Sequence, residues 1–305
     1  MAATITTVDL SQLPAPTVVQ QLNFEDIVAA MIADLQARAI ADGNEYTALL
    51  ESDPGYKIIE VCAYREMLLR QDMNEGAQAV MLAYATGSDL DQIGANYDCL
   101  RLTITPEDDT TVPPTAAVME TDTAYRARIQ LSMERFSCAG PTGAYKSLTL
   151  AASSDVLDAN VYSPTPGTVA VVVLSRTGNG TAPQATLDAV TAALNAENVR
   201  PLCDTVEVVG ATINNYSINA TLTFFQSVDI DTVMANALAA VQAYVTACHA
   251  VGRTVAIAGI IGALMQPGVA NVTLNAPGIT ADQVNDSTHA SYCTGITLTS
   301  GGYGD

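Results

Sequence analysis

Cys248 and His249 are the one place in this chain where a thiol and an imidazole adjoin, and that pair of groups is the kit of a cysteine hydrolase. Chain neighbours on a helix point about 100° apart, so these two cannot make the hydrogen bond between nucleophile and base. His289 is the only other histidine, and the cysteines at 62, 99, 138, 203, 248 and 293 form no CxxC or close cluster. A catalytic zinc site has almost nothing to be built from. Asp89-Leu90-Asp91-Gln92-Ile93-Gly94 begins like a calcium loop, but its fifth and twelfth positions, Ile93 and Leu100, bring no oxygen ligand; helix capping accounts for the acids. Arg176-Thr177-Gly178-Asn179-Gly180-Thr181 sits between a strand and a helix, where a phosphate cradle would lie, yet lacks the remainder of either glycine fingerprint. It reads as a loop needing positive φ at Gly178 and Gly180. Carboxylate pairs for glycoside cleavage are available in composition, but their separation belongs to the fold and abundance is no evidence for a site. The expectation is therefore no catalytic residue, no cofactor and no bound metal.

Charge narrows the partners. Asp and Glu number 32 against 12 Lys and Arg, a formal net charge of -20, which opposes any grip on nucleic-acid phosphates. Residues 1–110 hold 18 acids and 5 bases, whereas residues 211–305 hold 5 and 1. A C-terminal third so poor in charge suits either a surface covered by other subunits or one that is merely neutral. Bases this scarce make Arg65, Arg70, Arg101, Arg126, Arg128, Arg135 and Arg253 informative. A guanidinium is suited to bidentate ion pairs buried between subunits, but also to pairs within the chain, such as Arg70 with Glu66 four residues earlier.

The elements that would position these groups begin with two helices. Asn23 caps a stripe of Phe24, Ile27, Val28, Met31, Ile32, Leu35 and Ala39, which Asp42-Gly43-Asn44 ends. Ser52-Asp53-Pro54 opens a long helix whose apolar stripe is Ile59, Cys62, Leu69, Met73, Ala77, Val80 and Tyr84, stopped by Gly87, with Ser88 or Asp89 capping the next helix. Both stripes need cover, which a bundle shared with other chains would provide. Residues 105–119 have the composition of a linker or arm. Then come a helix through Tyr125, Ile129 and Met133, a helix capped by Thr142, strands at 156–162 and 168–174, a helix at 183–195 and a strand at 205–209. The last third predicts a strand at 216–225, an Ala-rich helix at 232–247 capped by Asp229 or Asp231, a short helix at 258–265 and a strand at 269–274. Asn236, Gln242, Thr246 and His249 make the Ala-rich helix amphipathic rather than membrane-spanning. The predicted class is α+β: an N-terminal helical, bundle-forming segment (1–104), the arm (105–119), a central α+β domain (120–210) and a C-terminal α+β domain (211–305) that associates with copies of itself. Residues 1–7 lack the basic and apolar regions of a signal peptide, and the scattered cysteines read as mostly buried thiols in a reducing compartment.

Several of these stretches carry a resemblance. Tyr64-Arg65-Glu66, Asn74-Glu75, Ala83-Tyr84-Ala85-Thr86-Gly87, Leu90-Asp91-Gln92-Ile93-Gly94 and Arg101 follow one another as in the N-terminal signature of the baseplate J-like proteins of contractile phage tails. Glu120-Thr121-Asp122, Tyr125-Arg126-Ala127-Arg128-Ile129, Gly140, Ala144-Tyr145, Pro166-Gly167-Thr168-Val169, Gly252-Arg253 and Gly268-Val269 resemble that family's later landmarks, in its order. The opening at 8–14 is similar to the version in temperate enterobacterial phages, whereas the tail at 282–305 departs into Gly, Thr and Ser. The resemblance implies a structural wedge subunit in the virion tail baseplate, assembled in the host cytoplasm. Its partners would be copies of itself in a six-fold ring, a second wedge protein of the tail protein I type, the sheath initiator, and the hub or spike and tail tube, with no nucleic acid and no membrane span. Arg65, Leu69, Met73, Leu90, Asp91, Arg101, Arg126, Arg128 and Arg253 are the candidate partner-contact residues. A contractile bacteriocin or related injection machine would use the same subunit. The rival classes are a baseplate-borne peptidoglycan hydrolase, which would need a converging acid or metal site, and a receptor-binding protein, disfavoured by 4 Phe and no Trp for stacking on sugars.

Overall fold

The computed structural model describes residues 8–14, 16–44, 50–137, 140–197 and 199–304; Cys138 and the opening at 1–7 lie outside them. They divide into two compact units, one of Val8–Leu100 with Asp122–Arg126, the other of residues 101–121 and 127–304.

The first unit is helical. Asn23 caps α1 (Phe24–Ala41) by accepting from the Glu25 amide at 3.1 Å, and Gly43 at φ +78° lets the chain leave it. Pro54 stands at the first turn of α2 (Pro54–Ala79), where its missing N–H costs nothing, while the Asp53 carboxylate accepts from the Leu50 amide at 3.0 Å. Ile27, Val28 and Ala63 form the centre of the α1–α2 contact, flanked by Phe24, Met31, Tyr56, Ile59 and Met67. The predicted single stripe on α2 is therefore divided. Ile59 turns towards α1, whereas Cys62, Leu69, Met73 and Val80 are exposed, because the contact centres on Ala63 and the stripe runs around its edge. Gly87 also does not end α2. The helix stops at Ala79, backbone bonds from Met81 to Gln78 and from Ala85 to Met81 turn the corner, and Gly87, at φ +52°, begins α3 (Gly87–Ala95). Its amide is taken by the Asp122 carboxylate at 3.1 Å, so the helix is capped from a distant residue and not by Ser88 or Asp89.

The second unit opens with an antiparallel ribbon of β1 (Thr103–Thr105) and β2 (Val118–Met119), with Asp108 and Thr115 exchanging backbone bonds at 2.9 Å nearer the tip. The segment read as an arm is this exposed ribbon. α4 (Asp122–Ser132) and α5 (Thr142–Ala152) follow; Thr142 is the first residue of α5 and Pro141, which has no side-chain oxygen, holds the cap position. β3 (Val156–Tyr162) and β4 (Thr168–Ser175) make an antiparallel pair, and α6 (Gln184–Leu194) crosses to β5 (Thr205–Gly210), parallel to β4. Tyr145, Val156, Val171, Val173, Val190 and Leu194 form the core beneath them. A second three-stranded sheet is centred on β6 (Thr212–Phe224), antiparallel to β7 (Val269–Leu274) and parallel to β8 (His289–Tyr303). From Tyr216 to Phe224 every second residue of β6 is buried, with Ile218, Leu222 and Phe224 packed against Val241 of α7 (Ile230–Cys248) and Ile260 of α8 (Ile257–Leu264). Asp229 holds the cap position of α7 without bonding its backbone amides, accepting instead from the Thr232 hydroxyl. β8 lies in the tail that carried no expected element. The result is an α+β fold with N-terminal helices, and no helix among the described residues is long and apolar enough to cross a membrane.

The two sheets of this unit share a seam. Val172 and Leu174 of β4 pack on Ala211 and Ala290, and Val251 donates its amide to Asp158, which also pairs with Lys146 at 2.8 Å. Asn160 donates to the Ser287 carbonyl at 2.9 Å, and the His249 ring bonds the Ser291 carbonyl at 2.8 Å. Gly178 and Gly180 both have positive φ, at +62° and +99°, but in different surroundings. A Cβ on Gly178 meets open space, whereas one on Gly180 would lie 2.6 Å from Leu174 and 3.0 Å from the His249 ring. Gly178→Ala is expected to cost about 1 kcal/mol from backbone strain alone, and Gly180→Ala about 2 kcal/mol or more because overpacking adds to it. Equal losses in urea melts of the two variants would contradict this account of the seam.

Candidate partner interface

The candidate contact residues separate by what their side chains already hold. Tyr125 is fully buried in the helical unit and donates to the Cys99 carbonyl at 2.6 Å; a Cβ on Gly94 would collide with its hydroxyl, which accounts for that glycine. Arg126 donates to the carbonyls of Leu82 and Ala85 at 2.6 and 2.7 Å, closing the corner between α2 and α3. Leu90 is fully buried among the same elements, and Asp91 is half-buried. Tyr125, Arg126 and Leu90 hold the corner of the helical unit together.

Within the second unit, Arg128 grips both carboxylate oxygens of Glu120 at 2.8 to 3.1 Å, with side chains only 11% and 2% exposed. Glu120 in turn accepts from the Leu102 amide at 3.3 Å, and Arg101 donates to the Glu120 carbonyl at 2.8 Å. The guanidiniums at 101, 126 and 128 thus make bonds inside the chain, one of the two uses open to them. Arg70 also pairs with Glu66, as the four-residue spacing predicts.

Arg65, Leu69, Met73 and Arg253 are exposed. On α2 and at Val80 just past its end, the outward residues Ile58, Val61, Leu69, Met73 and Val80 are 65, 62, 62, 73 and 75% exposed, and Cys62 and Arg65 lie among them. Their steps of three, four, seven and eight residues place them on one helical face, so α2 has a second apolar face away from α1. Beside it, a shallow groove is lined by Phe24, Glu60, Val61, Tyr64, Arg65 and Leu68. Ile58 and Val61 were missed from the sequence because they fall outside the stripe chosen there. The signal was present, since apolar residues cover more of this helix than one core contact uses.

The thiols depart from the expectation of burial. Cys99 and Cys248 are buried and Cys293 is half-buried, but Cys62 and Cys203 are exposed. Burial and the Asp204 carboxylate, which accepts from the Tyr145 hydroxyl at 2.8 Å, push the Tyr145 phenol above its ordinary range. Burial alone would raise the Asp155 pKa, but hydrogen bonds from Thr186, Ser175 and Thr177 outweigh it and hold the carboxyl below the usual carboxylate range. In both groups the hydrogen-bonding capacity is directed into the packing of the central domain.

Arginines bonded within the chain, two three-stranded sheets packed with helices and an exposed apolar helix face describe a multidomain α+β protein. The chain matches the baseplate J-like N-terminal domain over residues 51–108, the central domain over 137–210 and the C-terminal domain over 216–299. It is 48% identical over 298 residues to "Baseplate protein J" of Escherichia phage P2, covering 97% of this chain and 98% of that protein. The chain belongs to the baseplate J-like family, and its role is a structural one in a baseplate. A chain in the cryo-EM structure of the anti-feeding prophage baseplate, six-fold symmetrised, aligns with a TM-score of 0.38 and 13% identity over 59% of this chain and 44% of that one, values from which no shared detail follows.

The Glu120–Arg128 pair generates a stability prediction. Glu120→Ala takes the bidentate carboxylate away from a nearly buried guanidinium and is expected to cost about 3–5 kcal/mol, read from the denaturation midpoint of the second unit. A loss below about 1 kcal/mol would place the pair among exposed bridges of little consequence.

Proposed function

We propose that this protein is a wedge subunit: copies of it join into a six-fold ring around the hub and tail tube, meet the sheath initiator and a second wedge protein, and change their contacts when the sheath contracts. No bond is made or broken in this role, and the purified chain is expected to leave peptidoglycan, nucleoside triphosphates and peptides uncleaved. Assembly takes place in the host cytoplasm. The observation that carries the reading is the outward face of α2, whose large apolar side chains are each more than 60% exposed. Such a face is costly in water and becomes favourable when another helix covers it. Residues 1–104 would thus bundle with partner chains through Arg65, Leu69 and Met73. The C-terminal domain, with six formal charges in residues 211–305, would meet copies of itself at little desolvation cost. A contractile bacteriocin would use the same contacts, and a capsid on the purified particle separates the two settings.

Met73→Glu tests the helix face. Met73 is 73% exposed, so the variant is expected to melt within about 0.5 kcal/mol of the parent yet fail to enter baseplates in cells lacking the parent chain. Full incorporation of this variant, and of Leu69→Glu beside it, would overturn the bundle.

A further inference from the structure

We infer that the open edge of β8 is a self-pairing strand, joining antiparallel to β8 of a second copy about a two-fold axis at Thr297. The inference rests on the C-terminal self-association proposed above and names the backbone that would make it. β8 ends the order β7-β6-β8, so among the described residues one of its edges has no strand beside it apart from the single bridge between Val251 and Ala290. An uncovered edge presents a row of backbone donors and acceptors, and chains guard such edges with charge, proline or shortness.

Of the other outer edges of the two three-stranded sheets, two carry an acid and the third belongs to a much shorter strand. β3 contains Asp158, β5 contains Glu207, and β7 is 6 residues long. β8 is 15 residues long with no Asp, Glu, Lys, Arg or Pro. Irregular pairing with β6 interrupts the strand near Thr294 and again near Gly301, and between them, from 295 to 300, the register is unbroken. That window, Gly295-Ile296-Thr297-Leu298-Thr299-Ser300, is rich in the residue types that favour strands.

The occupant follows from this window's own chemistry. Because it is uncharged, a second copy can lie against it without opposing like charges, and an isologous contact requires such self-complementarity. Ile296 and Leu298 are half-buried against the layer formed by α7 and α8, while Thr297 and Thr299 are exposed on the other face. In a sheet that continues across the contact, residues sharing a face must oppose one another, which leaves only registers centred on whole residues. Centring on Thr297 sets Ile296 opposite Leu298 on both sides of the axis and Gly295 opposite Thr299. Centring on Ile296 or Leu298 would instead set one of these apolar side chains against Thr294 or Ser300.

The test is a charge exchange in the full chain, followed by analytical ultracentrifugation. Thr297→Lys and Thr297→Asp each place like charges across the axis, and each alone is expected to weaken self-association by about tenfold or more. Mixing the two is expected to restore it, since Lys then faces Asp, a recovery that a merely misfolded variant cannot give. If both variants associate like the parent, β8 is not the contact. If each is weakened and the mixture stays weak, the two-fold register at Thr297 is wrong. Should an Asp elsewhere on the C-terminal surface abolish association that these variants leave intact, self-association stands and only the edge assignment falls. A parent chain that stays monomeric throughout overturns both.

Discussion

α2 is apolar on two faces, and the described residues cover one. Ala63 and its neighbours are buried against α1, while Leu69, Met73 and Val80 face outwards. A surface helix of a self-sufficient domain carries one apolar stripe, so a second one supports the proposal that another chain completes this helix. The rest of the helical unit holds this helix in place. Arg126 pins the carbonyls at its end, Asp122 caps the helix after it, and Tyr125 fills the space that Gly94 leaves. Asp122, Tyr125 and Arg126 thus fix the geometry of this unit.

The second unit solves a different problem. Its two α+β domains each have a core, and Val172, Leu174, Ala211 and Ala290 join them. Asp158 receives both Lys146 from one side and the Val251 amide from the other, and the Ala211 amide donates to the Val173 carbonyl at 2.9 Å. A buried seam with its polar groups paired resists sliding more than a flexible linker does, so a load applied to one sheet is passed to the other.

Much of the fold was legible because its elements obey local rules. β3 and β7 fall at the residues that β-branched runs and turn residues mark, and α1 begins and ends at its capping signals. What escaped depended on distant groups. Gly87 looks like a helix stop in sequence, but the Asp122 carboxylate 35 residues away makes it a helix start. β8 escaped because Gly295, Gly301 and Gly302 interrupt its alternation, and only pairing with β6 makes it a strand. Among the contact residues, sequence could show that arginines were scarce, but not that those at 101, 126 and 128 find carbonyls and a carboxylate within the chain.

Oxidative footprinting of Met73, compared between the free chain and the assembled baseplate, addresses the unfinished helix most directly. The thioether is 73% exposed and lies at the middle of the outward face, so peroxide should oxidise it readily in the free chain. Strong protection in the particle, with little change at buried positions, is the result expected if another chain completes α2. Equal oxidation of Met73 in both states would contradict it.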